Sequence, residues 1–383
     1  MLSRIATAGL LASIVACSGG MDRPTPTSPL SADDQPSLIR TAEGGGTVFT
    51  QNNATAGNKV LVFGRAADGT LTSAGSYATG GTGTGAGLGS QGAVTLSDDG
   101  QYLLAVNAGS NEVTAFRVSG NVLNKLNTVP SGGIMPISVT VHGGVVYVLN
   151  GGGTGGIAGF TLGTSGLAAI RDGRRPLSSS AAGPAQISFT PDGSALVVTE
   201  KAENAIVTYS VDAIGRAHGP SVTPSAGQTP FGFAFGLRGT LIVSEAFGGA
   251  VDASAASSYR TNGASLMLRS ASVPDTETAA CWFAVTPNGQ YAYATNTGSG
   301  TVSGYRVTNE GRLVLLDAGG VTGVVGAGSS PTDDAISRNG QFLYVLASST
   351  HLVSAFAING SGALTAVGVS PALPAGSVGL AAR

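Results

Sequence analysis

One pattern of three short apolar runs recurs along most of this chain, and it leaves few folds open. Its clearest copy reads Ala185-Gln186-Ile187-Ser188-Phe189-Thr190-Pro191-Asp192-Gly193, then Ala195 to Thr199, then Ala205 to Tyr209. A tight Asp-Gly turn separates the first two runs and a polar loop the next. Two-residue hairpin turns need positive φ, which Gly accepts freely and Asn or Asp in part. Equivalent early turns fall at Asp99-Gly100, Gly143-Gly144, Arg238-Gly239, Asn288-Gly289 and Asn339-Gly340, spaced 44 to 51 residues apart. A later turn recurs near Gly69, Gly120, Gly166, Gly215, Gly263, Gly311 and Gly362. Units of this length that cannot bury their own apolar faces must stack on their neighbours.

Seven late turns against six early ones leave one unit short of a strand. Thr47-Val48-Phe49-Thr50 reads as a second strand with no inner strand ahead of it. The chain ends with a surplus segment, Ser377 to Ala381, that matches the inner-strand pattern of Ala93 to Leu96 and Phe283 to Thr286. The expected fold is therefore all-β. It is a seven-bladed β-propeller of four-stranded antiparallel blades, closed by a C-terminal strand that completes the N-terminal blade and removes exposed edges. Leu38-Ile39-Arg40 is the alternative inner strand for that blade. The propeller is expected over residues 41–383. Charged residues are only 10% of the chain, against roughly 25% in an average soluble protein, but 42% are hydrophobic, enough to fill a core. A net charge of −2 gives no electrostatic case for nucleic acid or for an anionic membrane surface.

The N-terminus reads as a targeting signal. Met1-Leu2-Ser3-Arg4 supplies a positive start, and Ile5 to Ala16 is an apolar run too short to span a bilayer. It ends in Ile14-Val15-Ala16-Cys17, the layout of a bacterial lipobox, so 1–16 is expected to be a lipoprotein signal peptide and Cys17 the lipidated residue. Residues 17–40 then form a Gly-, Pro- and Ser-rich tether. The chain is expected on the periplasmic side of a bacterial envelope, held at the membrane only through its lipid, with Ser18 fitting outer-membrane sorting. Lipidation of Cys17 leaves Cys281 alone, so no disulfide framework is expected.

Chemistry-bearing motifs are sparse. Gly87-Gly89-Gly92 and Gly151-Gly153-Gly156 fit the spacing of a dinucleotide loop, but strands follow both where a helix is required. The three histidines, 142, 218 and 351, lack the paired spacing of a zinc site. The ends of the second strands carry more information: Asn107, Asn150, Glu200, Glu245, Asn296 and Ala347, with Asn52 or Asn53 in the first blade. Asn there supports the adjoining loop through its side chain. Glu does this less well, which makes Glu200 and Glu245 the candidate catalytic groups at the face where loops converge. Gln91, Gln186 and Trp282, with Asn107, Asn150 and Asn296, are the candidate binding residues. Their oxygen atoms have the donor chemistry for Ca²⁺ or Mg²⁺, although no metal site is assigned.

The Pro-Asp-Gly turn, the aromatic-rich second strand ending in Asn or Glu and the Val-rich third strand together resemble the β-propeller lactonase family. Its members include 6-phosphogluconolactonase and carboxymuconate cyclase-type enzymes. The resemblance covers Gly46 to Arg383 and implies lactone-ring hydrolysis at the loop face. It also implies a His at an early inner strand, a Gly-Pro-Arg-His segment at the next, and an Asn-Glu pair ending that blade's second strand. Here those positions read Ile137, then Gly183-Pro184-Ala185-Gln186, then Thr199-Glu200, so only the Glu is kept. Three readings stay open: a lactonase with a divergent top-face site, a non-catalytic envelope propeller binding a small polar ligand or a protein, and a scaffold. A monomer is expected in each case.

Overall fold

Each Asp-Gly or Asn-Gly pair makes a hairpin turn in the computed structural model, which describes residues 45–383. Gly100, Gly193, Gly289 and Gly340 have φ between 66° and 72°. The residue before each glycine locks the turn with its own side chain: Asp192 Oδ1 accepts the Ser194 N–H at 3.1 Å and the Thr190 hydroxyl at 2.6 Å. The signal peptide, Cys17, the 17–40 tether and Leu38-Ile39-Arg40 lie outside the described residues.

Seven antiparallel sheets follow, each laid out from an inner strand to an outer one. In blade 4 they are Pro184–Phe189, Ala195–Glu200, Ala205–Val211 and Ala217–Pro224. The C-terminal strand Val378–Ala382 pairs antiparallel with Gly46–Gln51 and is the inner strand of blade 1, as the strand count requires. Blade 6 departs from the plan, because its outer strand is split into Leu313–Leu315 and Gly323–Val324. The second strand of blade 1 ends at Gln51, just before the Asn52 and Asn53 read for that place.

Apolar residues gather between blades rather than within them. Tyr147 and Leu149 of blade 3, for example, pack on Leu196, Val198 and Val207 of blade 4. Every residue of Ala195–Glu200 is buried, since a second strand is covered on both faces by neighbouring blades. Burying one such Leu or Val contributes about 1.5–3 kcal/mol. Side chains also stitch one blade to the next. The Tyr147, Tyr293 and Tyr344 hydroxyls donate to the Gly215, Gly362 and Gly69 carbonyls at 2.8, 2.8 and 3.0 Å, each in the late turn of the following blade. At the opposite edge the His142 ring covers Gly193, where an added Cβ would stand 2.2 Å from its Cδ2.

Candidate functional site

The ends of the second strands are tied to their own surroundings. Asn107 Nδ2 donates to Thr114 Oγ1 at 2.9 Å and Asn296 Nδ2 to Ser303 Oγ at 2.8 Å. Asn150 Oδ1 accepts the Ser131 hydroxyl at 2.7 Å, on the connection that enters blade 3. Glu200 does the same for blade 4: one carboxylate oxygen accepts the Ser178 N–H at 3.0 Å and the other accepts the Ser178 hydroxyl. Glu245 holds the connection into blade 5. It accepts the Gly227 N–H at 2.8 Å, the Ser272 hydroxyl at 2.5 Å and the Ser257 hydroxyl. Neither glutamate has any exposed surface. Burial pushes both carboxyls above the ordinary range, and the donated hydrogen bonds offset only part of that. Asn150, Glu200 and Glu245 hold the connections entering their blades, whereas Asn107 and Asn296 bond the adjacent third strand; each side chain is engaged within its own surroundings.

Gln91, Gln186 and Trp282 do come together, around the central channel. Gln186 behaves as a piece of backbone: its amide donates to the Phe233 carbonyl at 2.9 Å and accepts the Phe233 N–H at 2.7 Å. Gln91 does the same to Phe283, across the channel, at 3.0 and 3.1 Å. The segment before it enters the channel mouth, where Ser90 Oγ donates to the Ile137 carbonyl at 2.7 Å. The Gln91 N–H reaches the Ala185 carbonyl at 3.2 Å. Trp282 is buried edge-on against Phe231, with ring centroids 4.7 Å apart. The connection between blades 1 and 2 therefore stoppers the top of the channel. Below it lies a cavity of about 550 Å³ lined by Gln91, Gln186, Phe233, Phe283 and Asp333.

Two groups escaped the sequence reading. Asp333 and Asp334 are both buried on the inner strand of blade 7, and Gln91 Nε2 donates to Asp334 Oδ1 at 3.0 Å. One oxygen of each, Oδ2, has no hydrogen-bond partner among the described residues. Burial drives both carboxyls far up, and for Asp334 the neighbouring charge of Asp333 adds to it. A pair of acids on an inner strand, where the inner strands of the other blades carry no Asp, Glu, Lys or Arg, was the available signal. The second group is Lys201. Its Nζ donates to the Gly89 carbonyl at 2.9 Å and sits 4.3 Å from the centre of the Phe231 ring. Burial lowers its pKa to about 8. Gly89, the residue that Lys201 bonds, lines a cavity of about 240 Å³ together with Ser90, Trp282, Thr332, Ser348 and Ser377; Lys201 itself is not part of the lining. Among the described residues, no three His, Cys, Asp or Glu side chains are grouped to hold a metal ion.

A closed seven-bladed propeller with a stoppered channel and a cavity on its top face defines the class of protein. The family model described as "Lactonase, 7-bladed beta-propeller" matches residues 56–154 and 270–379. The chain belongs to this family. Among solved structures it is similar to a proposed 6-phosphogluconolactonase from Bacteroides fragilis, at 20% identity and a TM-score of 0.66 over 89% of this chain and 98% of that one. A second such protein, from Bacteroides uniformis, matches at 17% identity and a TM-score of 0.70, over 88% and 99%. The periplasmic gluconolactonase of Pseudomonas aeruginosa matches at 15% identity and 0.68, over 88% and 98%. At these identities the likeness shows the fold. Comparison with curated proteins finds no match.

Proposed function

We propose that this protein is a lactone-ring hydrolase whose reaction takes place on the top face beside Lys201. The observation that carries the reading is geometric: Lys201 Nζ is bonded to the carbonyl of Gly89, which lines a top-face cavity with Ser90 and Trp282, and burial lowers the lysine's pKa to about 8. At that pKa the neutral amine is available near physiological pH as a general base. In the proposed reaction the amine takes a proton from water as the water oxygen bonds to the lactone carbonyl carbon. The ring C–O bond then breaks, and the departing oxygen takes the proton back from the ammonium, giving a hydroxy acid. Glu200, next in sequence, serves from behind by holding the Ser178 connection. Ca²⁺ or Mg²⁺ remains a proposal, tested by chelation. We further propose a periplasmic lipoprotein anchored through Cys17, acting on a small polar ligand as a monomer.

One observation favours a second reading, a ligand-binding propeller without catalysis: Glu200 and Glu245 both have their oxygens taken up by donors of the protein itself. Hydrolysis of a panel of sugar and aliphatic lactones separates the two. Turnover that falls about a hundredfold or more in Lys201→Met supports the hydrolase; saturable lactone binding without turnover supports the binding module.

A further inference from the structure

On the face opposite Lys201, a cavity of about 650 Å³ opens where the first and last strands meet. Three arginines line it: Arg65 of blade 1, Arg338 of blade 7 and Arg383 at the closing strand. Among the described residues no Asp or Glu lines it, and none of the ion pairs involves these arginines. The nearby acids are engaged elsewhere. Asp98 pairs with His142 at 3.1 Å, and Asp99 Oδ1 accepts the Ser97 hydroxyl and the Gln101 N–H.

Arg65 is the telling member. It is 5% exposed, its guanidinium lies 5.5 Å from the Phe342 ring centre, and its Nε and Nη1 have no hydrogen-bond partner among the described residues. A buried cation whose donors are unused is costly unless an acceptor completes it. Gly46 leaves it room, for a Cβ there would stand 2.6 Å from Arg65 Nη2. Arg338 and Arg383 are held in place by backbone carbonyls, Arg338 Nη1 on Asp99 at 3.3 Å and Arg383 Nη2 on Gly120 at 2.5 Å. Carbonyls orient a guanidinium without neutralising it. Asn121 uses Oδ1 to accept the Thr47 hydroxyl at 2.7 Å, which leaves its amide N–H groups for the cavity it lines.

We infer that this cavity is an oxyanion site that takes a phosphate group through Arg65, Arg338 and Arg383. Three guanidinium groups lining one cavity, with no carboxylate among its described lining residues, suit a phosphate's several acceptor oxygens. Burial lowers the pKa of Arg383, and the charge of Arg338 lowers it further, so the two cations repel until an anion lies between them. The phosphate can belong to a small soluble ester or to a phospholipid headgroup. Gly45, which follows the segment proposed to lead from the lipid, lines the same cavity.

The test is calorimetric titration of the full chain at low ionic strength. Inorganic phosphate, glycerol 3-phosphate and a short-chain phosphatidylglycerol are the probes, with Arg65→Gln and Arg338→Gln as variants. Saturable binding at one site per chain is expected, weakened about tenfold by either substitution. Tighter binding of the lipid than of glycerol 3-phosphate would assign the headgroup as the source, and the reverse a soluble ester. Arg338 is exposed, so its variant is expected to fold even where the Arg65 variant does not. No saturable binding of any probe by the wild-type chain, or equal affinity in Arg338→Gln, overturns the proposal. Lactone turnover bears on neither result, because Lys201 is on the other face.

Discussion

Gln91 and Phe283 are 192 residues apart, yet they are joined by two hydrogen bonds across the channel. Gln91 supplies to the inner strand of blade 6 the donor and acceptor that a neighbouring strand would. Gln91→Ala would leave a buried N–H and a buried carbonyl unpaired, so it is expected to cost about 2 kcal/mol or more in urea denaturation. Gln91→Glu is expected to cost more, because it sets a third carboxylate beside Asp333 and Asp334.

The inter-blade tyrosines offer a graded series. Tyr293→Phe and Tyr344→Phe each remove one donor from a carbonyl in the next blade, at an expected cost of about 1 kcal/mol. The Tyr147 hydroxyl also accepts the Ala217 N–H at 2.7 Å, so Tyr147→Phe strands two backbone groups and should cost roughly twice as much. Midpoints equal to that of the wild type in all three variants would show that these hydroxyls do not secure the blades.

Stability should decline as pH rises from weakly acid to weakly alkaline. Asp333 and Asp334 have carboxyls raised far above the ordinary value near 3.8. The folded state therefore binds more protons than the unfolded one. Their contribution is full below the unfolded value and is lost as pH climbs through the folded values. Asp334→Asn carries no charge at that position, so its stability should vary less with pH between about 5 and 8. Chemical denaturation of both proteins at several pH values checks this; parallel curves would contradict it.

Glu245 is expected to tolerate loss of charge better than loss of acceptors. Glu245→Gln keeps an oxygen for the Gly227 N–H and no longer requires a buried charge, so its effect should be small. Glu245→Ala leaves that N–H and two serine hydroxyls without their acceptor, and should cost about 2–3 kcal/mol. Similar losses for the two variants would mean the charge itself holds the loop.

The blades were legible because their signals are local. An Asp192-Gly193 pair makes its turn with residues two or three positions away, so spacing alone reveals the repeat. The closing strand was legible for a related reason: a ring with one strand missing at its start and one to spare at its end has a single simple closure. The end-of-strand glutamates were legible as exceptions but not in their geometry. A carboxylate that clamps an incoming connection and one that faces a ligand share the same local sequence. The Ser178 and Ser272 partners that separate the cases come from a connecting loop 22 residues away and an outer strand 27 residues away. Gln91, Asp333 and Lys201 draw their character from contacts across the ring, Lys201 reaching Gly89 over 112 residues, which no repeat period encodes.

Hydrolysis of lactones by the full chain, followed from pH 7 to 9 with and without chelator, tests the central claim most directly. The expected result is a kcat/KM that rises about tenfold through a midpoint near 8 as Lys201 loses its proton. That rise should be absent in Lys201→Met and retained within a few-fold in Glu200→Gln. Turnover unchanged in Lys201→Met, or no turnover of any lactone by a folded wild-type chain, would contradict the account of the top face and leave the family likeness as one of fold.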